Sequence, residues 1–129
     1  LAVWNDRLIA GGEFTHAGGV AANRIAQWDG TSWQPLGSGI TVSLEGFPTP
    51  GVACLAAFET SLFAGGYFQK AGGGWANCIA RWDGTSWSAL GGTDLPVLGL
   101  AVHDGALILA GGFDWAGGVT AHRVARWGP

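Results

Sequence analysis

The sequence predicts an all-β protein assembled from a repeated unit of four short strands. Three observations carry that expectation. Glycine accounts for 24 of the 129 residues, against about 7% in an average protein. The longest glycine-free stretch, Val52 to Ala64, is only 13 residues, while a mean helix takes about 11–12, so a helix bundle has no room. The same set of short motifs also returns three times along the chain. Finally, the segments between the glycines are apolar on both faces, as strands covered on two sides should be. Collagen is excluded because the glycines have no period of three. Disorder is excluded by 48% hydrophobic residues and eight tryptophans.

The repeat can be followed residue by residue. Leu1-Ala2-Val3 matches Leu55-Ala56-Ala57 and Leu100-Ala101-Val102. The doublet Gly11-Gly12 is matched with Gly65-Gly66 and Gly111-Gly112, and Ala17-Gly18-Gly19 with Ala71-Gly72-Gly73 and Ala116-Gly117-Gly118. Ile25-Ala26-Gln27-Trp28 matches Ile79-Ala80-Arg81-Trp82 and Val124-Ala125-Arg126-Trp127. Asp29-Gly30-Thr31-Ser32-Trp33 matches Asp83-Gly84-Thr85-Ser86-Trp87. Each unit then carries strands A to D. In the third unit, A is Val97 to Val102, B is Ala106 to Ala110 and C is Arg123 to Trp127. Strand D is Trp33 to Leu36 in the first unit and Trp87 to Leu90 in the second, more polar as an outer edge should be. Val52 to Ala64 alone could pass for a helix, but its alignment with Val97 to Ala110, which has Asp104-Gly105 in the middle, predicts a hairpin.

Four strands in 40–50 residues read as a propeller blade. The expected organisation is blade one over residues 1–37, an insertion over 38–51, blade two over 52–91 and blade three over 97–129 without its outer strand. A glycine doublet closing strand B, an aromatic-Asp pair closing strand C and Trp-x-x-Leu in strand D resemble the kelch repeat. The form GG-x-F…AGG…IA-x-WDGTSW…LG is similar to that of repeat propellers in bacterial extracellular proteins. A second motif, Ala-Gly-Gly in the B–C connection, departs from the usual kelch pattern. The resemblance implies a binding platform or scaffold, and less often an enzyme domain, and it implies an extracellular or cell-surface location.

The frame residues have structural roles to fill. The glycine doublets are expected to allow positive φ and close approach of blades. Asp29-Gly30 and Asp83-Gly84 should turn strand C into strand D. Trp28, Trp33, Trp82, Trp87 and Trp127 should fill the wedges between blades, each indole N–H bonded locally. Function is then sought where the repeats differ. In the propellers this chain resembles, the B–C loops and the D-to-A links share one face. Here the B–C loops are Thr15 to Arg24, Gln69 to Cys78 and Asp114 to Arg123, with the insertion Ser38 to Gly51 on the same face. Equivalent positions hold His16, Lys70 and Trp115, then Ala21, Trp75 and Thr120, then Asn23, Asn77 and His122. Trp75 and Trp115 lie off the structural tryptophan register. They read either as apolar platforms for a sugar ring or a peptide side chain, or as covers over Gly73, Gly74, Gly117 and Gly118. His16, Lys70, Asn77, Asp114 and His122 are the polar groups around them.

Several motifs carry no chemistry. Gly11-Gly12-Glu13-Phe14 is one residue short of the diguanylate cyclase signature, and Gly65-Gly66-Tyr67-Phe68 marks it as the end of strand B. Gly72-Gly73-Gly74 lacks the Gly-Lys-Ser/Thr of a phosphate loop. Gly37-Ser38-Gly39 lacks the outer glycine of a nucleophile elbow. His16, His103 and His122 have no metal-binding spacing, and His103 matches the A–B turn positions Trp4 and Phe58. No spacing pairs two carboxylates, or a histidine with an acid, as an enzyme site needs. Net charge is −3 with Lys70 the single lysine, so nucleic acid and anionic membranes are not expected partners, and no apolar run is long enough to span a bilayer. No cofactor or metal is expected. The reading is a noncatalytic binding or interaction module, with a carbohydrate-binding propeller using Trp75 and Trp115, and a piece of a propeller enzyme, as the alternatives.

Two further expectations concern covalent and quaternary structure. Cys54 opens strand A and Cys78 opens strand C of one blade, with strand B between. Two strand spacings are about 9.5 Å, beyond the ~7 Å limit for a disulfide, so the two should be free, and Cys78, standing where Arg24 and Arg123 stand, should be partly exposed. The chain has no methionine, so Leu1 is not expected to be a translation start. Propellers need about 4–8 blades to bury every face. Three are expected here, with closure by a homodimer giving six blades or by the remaining blades of a longer chain.

Overall fold

The structure is a computed structural model that describes residues 1–113, 115–116, 119–120 and 123–127, with residues 115, 119 and 120 placed by backbone only. It is a partial β-propeller, all-β, with no helix among the described residues. Blade one is β1 (Ala2–Trp4), β2 (Arg7–Gly11), a small hairpin of β3 (His16–Ala17) and β4 (Val20–Ala21), then β5 (Ile25–Trp28) and β6 (Trp33–Pro35). A link strand, β7 (Ile40–Ser43), follows. Blade two is β8 (Gly51–Phe58), β9 (Ser61–Ala71), β10 (Gly74–Trp75), β11 (Ile79–Trp82) and β12 (Trp87–Ala89). Blade three is β13 (Val97–His103), β14 (Ala106–Gly111), β15 (Trp115–Ala116), β16 (Val119–Thr120) and β17 (Val124–Trp127). The sheets run β1-β2-β5-β6, then β8-β9-β11-β12, then β13-β14-β17, all antiparallel.

Local chemistry fixes the turns. Asn5 and Asp6 both take positive φ (52° and 60°), as do Asp104 and Gly105 (51° and 76°), which are the tight turns that match the strand twist. Between strands C and D, one carboxylate oxygen of Asp29 accepts from the Thr31 and Ser32 amides at 2.8 and 2.9 Å. Asp83 does the same with Thr85 and Ser86. These amides hold the Asp83 carboxyl down to about 2, and Asp29 is lowered for the same reason.

The blades stack face to face. Cross-strand pairing puts Val3, Leu8, Trp28 and Trp33 in one row on blade one. The equivalent rows are Ala57, Leu62, Trp82 and Trp87 on blade two, and Val102, Leu107 and Trp127 on blade three. Leu62 and Trp82 join Ile9, Ile25, Leu36 and Ile40 in one core. Leu107 and Trp127 join Phe58, Phe63 and Ile79 in the next. Blades two and three thus each lay a Leu/Trp face on the Ile/Phe face of the blade before. The indole of Trp87 bonds across that interface, donating to the Leu36 carbonyl at 2.8 Å, so the expected local partner is replaced by a neighbouring blade.

Four expectations need correction. The glycine doublets do not sit at positive φ. Their requirement is space: a Cβ on Gly65 would lie 2.7 Å from Val97 Cγ1 and 2.8 Å from Cys54 Sγ, and one on Gly11 would lie 2.5 Å from Val52 Cγ1. The third doublet is also out of step by one residue. Gly12, Gly66 and Gly111 each donate to the carbonyl that precedes strand C, those of Arg24, Cys78 and Arg123, all at 3.0 Å. Gly111 therefore occupies the Gly66 position, where the carbonyls of Gly51 and Pro96 press on the missing Cβ, and Ala110 occupies the Gly65 position. Beside these contacts, β8 and β13 bulge at the same place, Ala53 and Leu98.

Strand A is less covered than its apolar sequence suggests, because it is the edge of each sheet: Val3, Leu98 and Val102 are exposed. The cysteines are free, but Cys78 is buried, not partly exposed, because it lies in the core between blades two and three. Burial pushes both thiols up, Cys54 to about 11.

Candidate functional site

Antiparallel order places the A–B and C–D turns at one end of every blade, and the B–C connections and D-to-A links at the other. At the second end, the B–C connections of blades one and two each form a two-residue hairpin across an Ala-Gly-Gly turn. Gly18, Gly19, Gly72 and Gly73 take positive φ there, which explains the motif that departs from the kelch pattern. The register is informative. His16 faces Ala21, Lys70 faces Trp75 and Trp115 faces Thr120. Two of the three positions that break the repeat are thus cross-strand partners in every blade.

In blade two this pairing has chemistry. The Lys70 ammonium lies over the Trp75 ring, 4.6 Å from its centroid, while Trp75 remains 60% exposed. Trp75 therefore does not cover the neighbouring glycines, and it presents an indole beside a fixed cation. On blade one, His16 is exposed and its Nδ1 lies 3.1 Å from the Thr15 hydroxyl. Asn77 is exposed, with φ of 50°, and its carbonyl accepts from the Thr93 amide at 2.9 Å; its backbone is a structural anchor. Asp114 and His122 lie outside the described residues, as does the side chain of Trp115.

The links knit these hairpins into one rim. Ile40 donates to the Asn23 carbonyl of blade one, and Gly72 of blade two donates to the Gly39 carbonyl. Strand β7 then runs beside the blade-two hairpin, Thr41 against Lys70. Thr93 repeats the arrangement one blade on, bonding Asn77 behind it and bridging Ala116 ahead. The insertion therefore does belong to this end.

A family model described as a domain of unknown function (DUF5122) beta-propeller matches residues 5–27. The matched repeat is a propeller repeat. It covers the A–B turn, strand β2, the β3–β4 hairpin and most of β5, so the Ala-Gly-Gly hairpin lies inside the stretch that matches. No curated protein and no solved structure matches the chain.

Sequence reasoning missed two features. The Tyr67 hydroxyl donates to Glu13 Oε2 at 2.6 Å, and the Phe47 ring stacks on Tyr67 at 5.1 Å. The bond to Glu13 raises the Tyr67 hydroxyl to about 12, with burial adding to the effect. Glu13 and Tyr67 occupy one repeat position in adjacent blades, and that break in the repeat was the available signal. The second feature is at the opposite end. One cavity of about 440 Å³ lies beside Trp4, Asn5, Glu59 and Asp83, and another of about 220 Å³ beside Phe58, Ser61, Arg81 and Trp127. Arg81 Nε donates to the Ser61 hydroxyl at 2.8 Å in the smaller one. Among the described residues, no group of three or more His, Cys, Asp or Glu side chains could hold a metal ion.

Proposed function

We propose that this chain is a noncatalytic binding module of kelch-like blades, and that its ligand docks on the rim formed by the B–C hairpins. The observation that carries the reading is the Lys70–Trp75 pair. An indole this exposed costs solvation free energy that a soluble surface ordinarily avoids, and a neighbouring cation gives it a directional polar partner. The pair stands on a rigid strand, because β9 continues through it from the blade core and is flanked by β7 and β10.

A carbohydrate ligand is the second reading, and the exposure of Trp75 favours it, since sugar rings present C–H faces that stack on indole. The test is titration of a panel of soluble mono- to tetrasaccharides and of Pro- and Gly-rich peptides, followed by intrinsic fluorescence and confirmed by calorimetry. A ligand of this rim should lose about tenfold in affinity or more, ~1.4 kcal/mol, with Trp75→Ala, and less with Lys70→Ala. Saccharide binding that Trp75→Ala leaves untouched would move the site away from the rim.

A further inference from the structure

With the B–C rim as the binding site, a reading on which this step rests, we infer that its ligand is an acidic saccharide, a chain of sugar rings bearing carboxylates, with one carboxylate on the Lys70 ammonium and one ring on the Trp75 indole. Register places the groups involved in a single row. Thr41 of β7 faces Lys70 of β9, and Lys70 faces Trp75 of β10. Adjacent strands lie about 4.8 Å apart, so a hydroxyl, an ammonium and an indole follow one another across three neighbouring strands. The next row, Ile40, Ala71 and Gly74, turns the other way. Ile40 and Ala71 are buried in the core between blades one and two. Thr41, Lys70 and Trp75 therefore share the outward face of a small sheet whose inward face is anchored.

The charge on this row is uncommitted. Lys70 is the single lysine of the chain, and among the described residues no carboxylate pairs with it. Its ammonium carries three N–H donors, and the indole engages only the side turned toward it. An exposed contact of this kind stabilises by no more than about what fixing a lysine stem costs, so the pair contributes little to the fold. It does hold a positive charge at a set place beside a ring that stays 60% exposed. The equivalent pairs, His16 with Ala21 and Trp115 with Thr120, place no permanent cation beside an aromatic ring. The combination is local to blade two and makes one carboxylate subsite.

The ligand class follows from these groups. A carboxylate meets the ammonium with a charge-assisted hydrogen bond. The C–H face of a sugar ring stacks on the indole, and the Thr41 hydroxyl can donate to or accept from the ring's own hydroxyls. In a uronic-acid chain the carboxylate and the ring belong to one rigid unit, so both contacts are made together. An acidic peptide satisfies the lysine but brings no ring for the indole. The net charge of −3 does not keep such a ligand away, because exposed charges farther apart than about 8 Å are largely screened at physiological salt.

Calorimetry on the full chain tests this with oligomers of galacturonic, glucuronic and mannuronic acid, each compared with its methyl ester, which removes the charge and keeps the rings. At least one acid series should bind, and its ester should bind about three- to fivefold more weakly, the worth of one exposed ion pair. Lys70→Gln should cost the acid form the same factor and leave the ester unchanged. Lys70→Arg should restore the difference, and high salt should erase it. Trp75→Ala should weaken acid and ester alike. Equal binding of acid and ester, with both weakened by Trp75→Ala, would overturn the acidic ligand and leave the rim in place. A tetraglutamate peptide that binds more tightly than every uronate would overturn the saccharide. Uronate binding that neither Trp75→Ala nor Lys70→Gln alters would remove the rim itself, and a failure of every uronate to bind would end the inference.

Discussion

Leu8, Trp28 and Trp33 on blade one and Leu62, Trp82 and Trp87 on blade two are the same residues at the same register, yet they sit in different environments. Both tryptophan pairs are tilted, with centroids 5.4 and 5.2 Å apart. The blade therefore builds its own strand row and aromatic pair from local sequence. Only blade two's row is sealed, with Leu62 fully buried and Trp82 nearly so. The difference teaches that a blade's shape comes from its own turns and ladders, while its stability comes from the neighbour that dries its face.

Substitutions should separate these two contributions. Trp82→Ala should cost about 3–5 kcal/mol, and Trp28→Ala, less deeply buried, distinctly less, as read from denaturant midpoints. Next, Gly65→Ala forces a methyl against Val97 and Cys54 and should cost about 1–3 kcal/mol. Ala110→Gly, at the equivalent place on the open face, should change little beyond backbone entropy. Trp87→Phe removes the bond to the Leu36 carbonyl and should cost about 1 kcal/mol, with no corresponding polar loss for Trp33→Phe.

The smallest effect belongs to the turns, which are alike in both blades. The lowered carboxyls of Asp29 and Asp83 mean that their contribution is complete above the ordinary aspartate value of 3.8. For Asp83 it is lost as pH falls from there through about 2. Asp83→Asn should lower stability at neutral pH and abolish that acid limb, so that variant and wild type converge at low pH, and Asp29→Asn should act the same way. A larger acid loss in one blade than in the other would show that the turns are not local units.

Much of this was legible because the information is periodic. Asp-Gly-Thr-Ser and Ile-Ala-x-Trp recur at fixed spacing, so strands B, C and D could be placed from sequence. The B–C hairpin partners could be named as equivalent positions, although that they face each other needed the register. What was not legible depended on long-range pairing. Ile40-Thr41-Val42-Ser43 is four residues among glycines and prolines, and it becomes a strand only because β9 extends far enough to offer an edge. Gly111-Gly112 looked like the earlier doublets, but the place of the Pro96 carbonyl, not the dipeptide, decides the register. Cys78 was expected to be partly exposed from its arginine counterparts, and the packing of blade three against blade two buries it. Of the candidate rim, Lys70 and Trp75 were found by repeat-breaking alone. The Glu13–Tyr67 bond, which breaks the repeat in the same way, was set aside because its neighbouring glycines drew the reading toward a frame role.

The account stands on face-to-face stacking as the source of stability: the Leu/Trp face of blade two is sealed by blade one, and that of blade one is left partly exposed. The most direct measurement is equilibrium unfolding of Leu62→Ala and Leu8→Ala over a wide dilution series. Leu62→Ala should cost about 2–5 kcal/mol at every protein concentration, since its face is covered within the chain. Leu8→Ala should cost distinctly less, since its side chain is already 37% exposed. Equal losses for the two variants would contradict the account.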